Sequence, residues 1–250
     1  MAEGEPARRA PRFYLDAPLH AGESCTLSEE SAHHAVHVLR LRAGGEATLF
    51  NGRGGEFAAR IASVQKLKLT LDVLEHRAIE RESPLRVTLL QGISSGERME
   101  FTIRKAVELG VAEIRPALAA SSVARPKGER AAARQSHWQR IAIAACEQSG
   151  RNRIPLVHPL STVPSLSGLE DVSCRILLSP GAEESFSKLV KDKGASFTLA
   201  AGPEAGFTPE EEAAFVAAGF APVKLGARVL RTETAALAAL ASLNALLGDY

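Results

Sequence analysis

Two glycine turns in the last fifty residues carry the residue types best suited to chemistry. The first is Leu199-Ala200-Ala201-Gly202-Pro203-Glu204-Ala205-Gly206-Phe207-Thr208, and the second is Leu225-Gly226-Ala227-Arg228-Val229-Leu230-Arg231-Thr232-Glu233-Thr234-Ala235. In each, a short apolar run that suits a strand end leads into glycine and then into a helix start. Glycine lacks a Cβ, so backbone amides and carbonyls at such turns can approach a ligand directly. Thr208-Pro209-Glu210-Glu211 has the pattern of a capping box with proline in the first helical turn, which leaves residues 202–207 as the loop between strand and helix. Leu225-Gly226 is expected to end a strand, and Thr232 or Thr234 to cap a helix running to Leu247. Two such loops at the carboxyl ends of parallel strands would close one crevice, the usual ligand site of an open α/β sheet. One Gly-Pro-Glu-x-Gly segment alone reads as an ordinary turn; the pair is what points to a binding site.

The elements that must position these turns follow from hydrophobic rhythm. Residues 1–11 are charged and aperiodic, expected to form a mobile tail. Residues 12–79 read as short strands, with a hairpin around Asn51-Gly52, an alternating strand over 68–74, and one helix over 28–39 with Ser28 as N-cap. This predicts a small β-barrel-like domain. Charges and a proline near Glu80-Arg81-Glu82-Ser83-Pro84 mark a boundary. Over 80–250 strands and helices alternate: strands at 86–91, 111–116, 154–158, 175–179, 196–201 and 222–225, helices at 97–109 and 129–149. Met99, Ile103 and Val107 fall on one helix face, Trp138, Ile141 and Ala145 on the other's inward face, with Gly110 and Gly150 as stops. The fold class is α/β, a mostly parallel sheet covered on both faces. The last helix, with Leu237, Leu240, Leu243, Leu246 and Leu247 among alanines, is apolar nearly all round and should be buried in the domain or against another subunit, with Leu240 and Leu247 expected to face outward.

Composition excludes several classes. The chain has 250 residues, 45% of them hydrophobic, enough for one large or two modest domains. No apolar run reaches membrane-spanning length and the first dozen residues lack the apolar core of a secretory signal, so a cytoplasmic protein without a membrane partner is expected. Cys25, Cys146 and Cys174 are odd in number and widely spaced, which argues against a disulfide framework or zinc site. No Gly-Lys-Ser/Thr supports a P-loop, and no Gly-x-Gly-x-Gly opens the α/β part as a Rossmann methyltransferase would require. The net charge of +1 hides an asymmetry: 115–153 holds eight basic residues against two acidic ones, an anion-binding footprint or a solvated face. His33, His34 and His37 read as a polar helix face, and Lys105 with Glu108 as a solvated pair.

Taken together, the two glycine turns resemble signature segments of the SPOUT class of S-adenosylmethionine-dependent RNA methyltransferases, most nearly the RsmE family, which methylates N3 of a uridine in small-subunit (16S) ribosomal RNA. His33-His34-Ala35-Val36-His37-Val38-Leu39-Arg40-Leu41-Arg42 and Leu49-Phe50-Asn51-Gly52-Arg53-Gly54 resemble that family's amino-terminal PUA-like domain. The likeness continues in Lys105-Ala106-Val107-Glu108-Leu109-Gly110 and in Glu147-Gln148-Ser149-Gly150-Arg151, and so covers about residues 12–250. The family usually has Gly-Pro-Glu-Gly-Gly; Ala205 departs from it, a change tolerable where φ is negative.

The resemblance implies a carboxy-terminal trefoil knot, a homodimer, and S-adenosylmethionine as cofactor, with no metal. It assigns Leu178, Pro180, Gly202, Pro203, Glu204, Gly206, Leu225, Gly226, Leu230 and Thr234 to the cofactor pocket, with Ser179 beside them and Leu230 against the adenine. Arg231 and Glu204 would stand nearest the methyl group as the catalytic pair. Arg12, Arg40, Arg42, Arg125 and Arg151 would contact RNA, since arginine offers a planar fork of donors to phosphates and bases. Two alternatives remain open: a SPOUT methyltransferase acting on another RNA or atom, and a non-catalytic RNA-binding ribosome-assembly protein.

Overall fold

The computed structural model describes residues 10–65, 68–122, 125–163, 172–191 and 193–250. The expected tail lies outside them except for Ala10 and Pro11. They divide into two compact units, Met1–Glu82 with Cys146–Ile154, and Ser83–Ala145 with Pro155–Tyr250.

The first unit contains β1 (Arg12–Tyr14), β2 (Ser24–Thr26), α1 (Glu29–His33), β3 (Glu46–Phe50), β4 (Glu56–Gln65) and β5 (Lys68–Arg77). The sheet order is β1-β3-β4-β5-β2, with β1 parallel to β3 and the other pairings antiparallel. Alternate positions Ala59 and Ile61 of β4, and Leu69, Leu71 and Val73 of β5, turn inward onto Phe13, Leu49 and Phe57, as the two-residue side-chain period of a strand requires. Register shifts between Ala58 and Ala59 and between Ile61 and Ser63 mark irregularities in the β4/β5 ladder, where bulges bend and twist a strand. The helix predicted over 28–39 is corrected in part. Ser28 Oγ does cap it, accepting from the Ser31 N–H at 3.2 Å, but after α1 the chain widens into a π-helical turn, His34–Val38. There the Leu39 N–H reaches back five residues to the His34 carbonyl at 3.1 Å.

The second unit contains β6 (Arg86–Gly92), α2 (Gly96–Glu108), β7 (Glu113–Leu118), α3 (Glu129–Ser149, whose last turn belongs to the first unit), β8 (Leu156–Val157), β9 (Ser161–Thr162), β10 (Cys174–Leu178), α4 (Phe186–Val190), β11 (Ser196–Ala201), α5 (Pro209–Ala217), β12 (Ala221–Val223) and α6 (Thr232–Leu247). The strands form one sheet in the order β12-β10-β11-β6-β7-β8, with β9 beside β7, and these pairings are parallel. Val87, Leu89 and Leu90 of β6, and Phe197, Leu199 and Ala200 of β11, are buried without alternation. Such runs are the mark of a sheet covered on both faces. α2 buries Met99, Ile103 and Val107 and stops at Gly110, whose φ of +83° suits a residue without a Cβ. Trp138 and Ala145 of α3 are buried and Ile141 is half-buried. No helix among the described residues is long and apolar enough to cross a membrane.

Two expectations about α6 change. Its N-cap is Arg231, which makes no side-chain cap, and Thr232 is its first helical residue. Leu240 is fully buried with Ala236, Ala239 and Leu243, because α6 packs on α2, β6 and β11; it does not face outward. The exposed large apolar residue on this helix is Leu246, and Leu247 is half-buried.

Candidate cofactor cavity

Three neighbouring parallel strands, β12, β10 and β11, end on the same edge of the sheet. Each releases a glycine-bearing loop there: Lys224-Leu225-Gly226 after β12, Ser179-Pro180-Gly181 after β10, and Gly202-Pro203-Glu204-Ala205-Gly206 after β11. These loops and the start of α6 enclose a cavity of about 370 Å³ lined by Leu178, Ser179, Pro180, Gly202, Pro203, Glu204, Gly206 and Leu230 among others. A smaller one of about 40 Å³, lined by Leu225, Gly226 and Arg228, shares Leu178, Ser179, Pro180, Leu230 and Ala235 with it. The two turns read from the sequence therefore meet. Of the residues assigned to the pocket, all but Thr234 line one of the two cavities. Thr232 takes the place of Thr234, because the helix begins one turn earlier than a Thr234 cap would require.

Side chains that sequence reasoning passed over fix the loops. Gln91, fully buried at the end of β6, donates through Nε2 to the Thr232 hydroxyl at 3.0 Å and to the Gly202 carbonyl at 3.4 Å. The Thr232 hydroxyl itself donates to the Gly202 carbonyl. One amide thus joins β6, the first glycine turn and the start of α6. The available signal was a polar residue closing an apolar strand, Val87 to Leu90 being apolar at three of four positions. Gly92 is needed for close approach, since a Cβ there would lie 2.5 Å from Pro203 Cδ and from Pro203 N. At Gly202 a Cβ would meet the Gly206 backbone at 3.1 Å. Ser121 Oγ donates to the Gly206 carbonyl at 2.6 Å, and Phe207 packs on Phe215 with ring centroids 4.9 Å apart. The capping box forms as predicted, Thr208 with Glu211. Among the described residues Arg40 alone combines a side chain with positive φ, so Ala205 lies outside the left-handed region and its extra methyl brings no backbone strain.

The two residues expected nearest the methyl group differ in their relation to the cavity. Glu204 lines the cavity, but its Oε1 accepts from the Ser95 N–H at 2.8 Å and from Arg98 at 3.3 Å. Burial pushes this carboxyl up; the bonds from Ser95 and the Arg98 charge outweigh it and hold it below the ordinary carboxylate range. A carboxylate so stabilised is a poor proton acceptor near neutrality and acts by pinning its loop to the start of α2. Arg231 is exposed and is not among the described lining residues.

Of the arginines expected to touch RNA, two in the first unit are committed elsewhere. Arg12 Nη1 pairs with Glu56 Oε2 at 2.5 Å, and its Nη2 donates to Asn152 Oδ1 at 2.6 Å. Arg151 is buried and holds Glu82 at 2.5 Å. Both expectations are corrected: Glu56 on β4, Glu82 and Asn152 supply the acceptors that occupy these guanidiniums. Glu147 likewise turns inward, accepting from the Tyr14 N–H at 2.9 Å. Arg40 and Arg42 are exposed, and Arg40, two residues past the π-helical turn, holds φ +55°, a conformation that costs energy without glycine and often marks function. In the second unit Arg125 is exposed and donates to the Ala119 and Ala120 carbonyls.

The cavity suits S-adenosylmethionine in kind. Its volume lies within the roughly 300–1,000 Å³ usual for small-ligand sites. Leu178, Pro180 and Leu230 give apolar walls for a base, glycines give backbone donors and acceptors, and Glu204 and Glu212 give the wall negative charge toward a sulfonium. No group of three or more His, Cys, Asp or Glu that could hold a metal occurs among the described residues.

Comparison with known proteins agrees with this geometry. An RNA methyltransferase domain family matches residues 81–244, and an RNA methyltransferase PUA domain family matches residues 27–74. A ribosomal RNA small subunit methyltransferase E of Buchnera aphidicola is 33% identical over 97% of this chain and 98% of its own length, and the Bacillus subtilis protein of that name is 31% identical over 88% and 89%. Among solved structures, the enzyme of that name from Neisseria gonorrhoeae, bound to S-adenosyl methionine, superposes with a TM-score of 0.89 at 38% identity over 97% of this chain and 100% of that one. A Legionella pneumophila protein in complex with SAM gives 0.92 at 37%, with the same coverage. The chain thus belongs to the RNA methyltransferase family whose members in these bacteria are named ribosomal RNA small subunit methyltransferase E.

Proposed function

We propose that this protein transfers a methyl group from S-adenosylmethionine to N3 of a uridine in small-subunit ribosomal RNA. The observation that carries the reading is the meeting of both glycine turns at one cavity on the carboxyl edge of β12, β10 and β11. Bound there, the cofactor supplies a methyl carbon activated by its sulfonium sulfur. The chain's own residues do the positioning: Leu178, Pro180 and Leu230 exclude water around the base, Gln91 and Thr232 hold the first glycine turn, and Glu204 fixes the loop against α2. Such a reaction depends on alignment and desolvation more than on bond-making groups of the protein. N3 lies on the pairing edge of uridine, so the target base must be unpaired or drawn from its stack. The exposed Arg40, Arg42 and Arg125 are suited to that RNA. Work in the cytoplasm, a trefoil knot around the cavity, and a homodimer with α6 at its interface complete the proposal.

The test is methyl transfer from labelled S-adenosylmethionine to small ribosomal subunits, followed by nucleoside mass mapping. N3-methyluridine is expected, lost in Gly226→Val because Gly226 holds φ +78° at the cavity wall. Methylation at another atom, or an unaffected variant, overturns the assignment.

A further inference from the structure

The described residues lining the larger cavity include two carboxylates, Glu204 and Glu212, and no lysine or arginine. They are not equivalent. Glu204 is engaged by the Ser95 N–H and Arg98. Glu212 stands in the first turn of α5, where Glu211 already completes the capping box and the Glu212 N–H closes on the Thr208 carbonyl at 2.9 Å. Its side chain is therefore not needed for the cap. Across the cavity wall it accepts from the hydroxyl of Ser179, a buried residue, at 3.3 Å, and among the described residues it forms no ion pair. A half-exposed carboxylate without a cation, on the same cavity wall as Leu178, Pro180 and Leu230, places negative charge at the site.

We infer that Glu212 makes this cavity discriminate by charge, retaining the cationic methyl donor and favouring release of the neutral thioether product. The inference rests on the cavity being the S-adenosylmethionine site. Donor and product differ by one methyl and one positive charge on sulfur. Apolar and backbone contacts hold them about equally, and a nearby carboxylate separates them. Removing the charge from Glu212 removes part of the difference, about threefold to tenfold in the ratio of dissociation constants for one charge pair at intermediate screening.

Calorimetric titration of the full chain with S-adenosylmethionine and with S-adenosylhomocysteine reads this ratio without turnover. Glu212→Gln should lower the preference for the donor about threefold to tenfold, chiefly by weakening donor binding, while Glu212→Asp retains most of it. Glu210→Gln serves as control: it removes the same charge from the same helical turn at an exposed position and should leave the ratio unchanged. Equal weakening of both ligands by Glu212→Gln, an unchanged ratio, or an equal shift with Glu210→Gln overturns the role given to Glu212. Failure of the unaltered protein to bind either ligand would instead remove the cavity's assignment.

Discussion

Replacing Glu56 by glutamine should loosen the first unit in a pH-dependent way. Glu56 Oε2 accepts from Arg12 at 2.5 Å and from Arg81 at 2.8 Å, and its side chain is 8% exposed. Burial alone pushes this carboxyl up; the bonds and charges of Arg81 and Arg12 overcome that and bring it from 4.5 down to about 2. At about 1.36 kcal/mol per pH unit, ionisation near 2 instead of 4.5 corresponds to about 3 kcal/mol, comparable with the roughly 3–5 kcal/mol lost when a buried pair is broken. Because the folded value is depressed, this stability is fully present above pH 4.5 and is lost as pH falls through 2. Glutamine keeps the shape but leaves two guanidiniums facing a neutral amide. Hydrogen exchange of β4 amides, compared between the two proteins at each pH, reads the local effect. At pH 7 exchange in Glu56→Gln should be faster by about two powers of ten, the same 3 kcal/mol expressed as a population, and the gap should narrow steadily below pH 4.5. Equal protection at pH 7, or a gap that does not narrow with acid, would refute the reasoning.

Two further outcomes follow from the geometry. Gly92→Ala places a Cβ 2.5 Å from Pro203, so the first glycine turn must move; a loss of about 1–3 kcal/mol in stability and at least about tenfold in S-adenosylmethionine affinity is expected by denaturation and calorimetry, and wild-type affinity would disprove the close-packing role. Arg40→Ala with Arg42→Ala should reduce the slope of log RNA affinity against log salt by up to about 0.7–0.9 per lost phosphate contact, whereas Arg12→Ala should lower stability with the slope unchanged; the reverse pattern would return Arg12 to the RNA surface.

Local signals were legible in the chain itself. Strand-turn-helix grammar located both glycine turns because only glycine, proline and capping residues satisfy those backbone conformations, and the Thr208–Glu211 capping box formed as its spacing requires. The alternation of strands and helices after residue 86 already implied a sheet covered on both faces, and β6 and β11 are buried without alternation. Chain order could not assign the partners of long side chains, since these come from residues far apart in sequence. Arg12 looked available until Glu56 and Asn152 were placed against it, 44 and 140 residues away. Gln91 looked like a strand end until it met Thr232, 141 residues on. Glu204 looked like half of a catalytic pair until Ser95 and Arg98 were placed against its Oε1. Residue types and spacing determined where a ligand could be held, because turn and cap preferences act over a few residues; tertiary packing alone decided which charges remained free to act, because pairing depends on what the fold brings within about 3 Å.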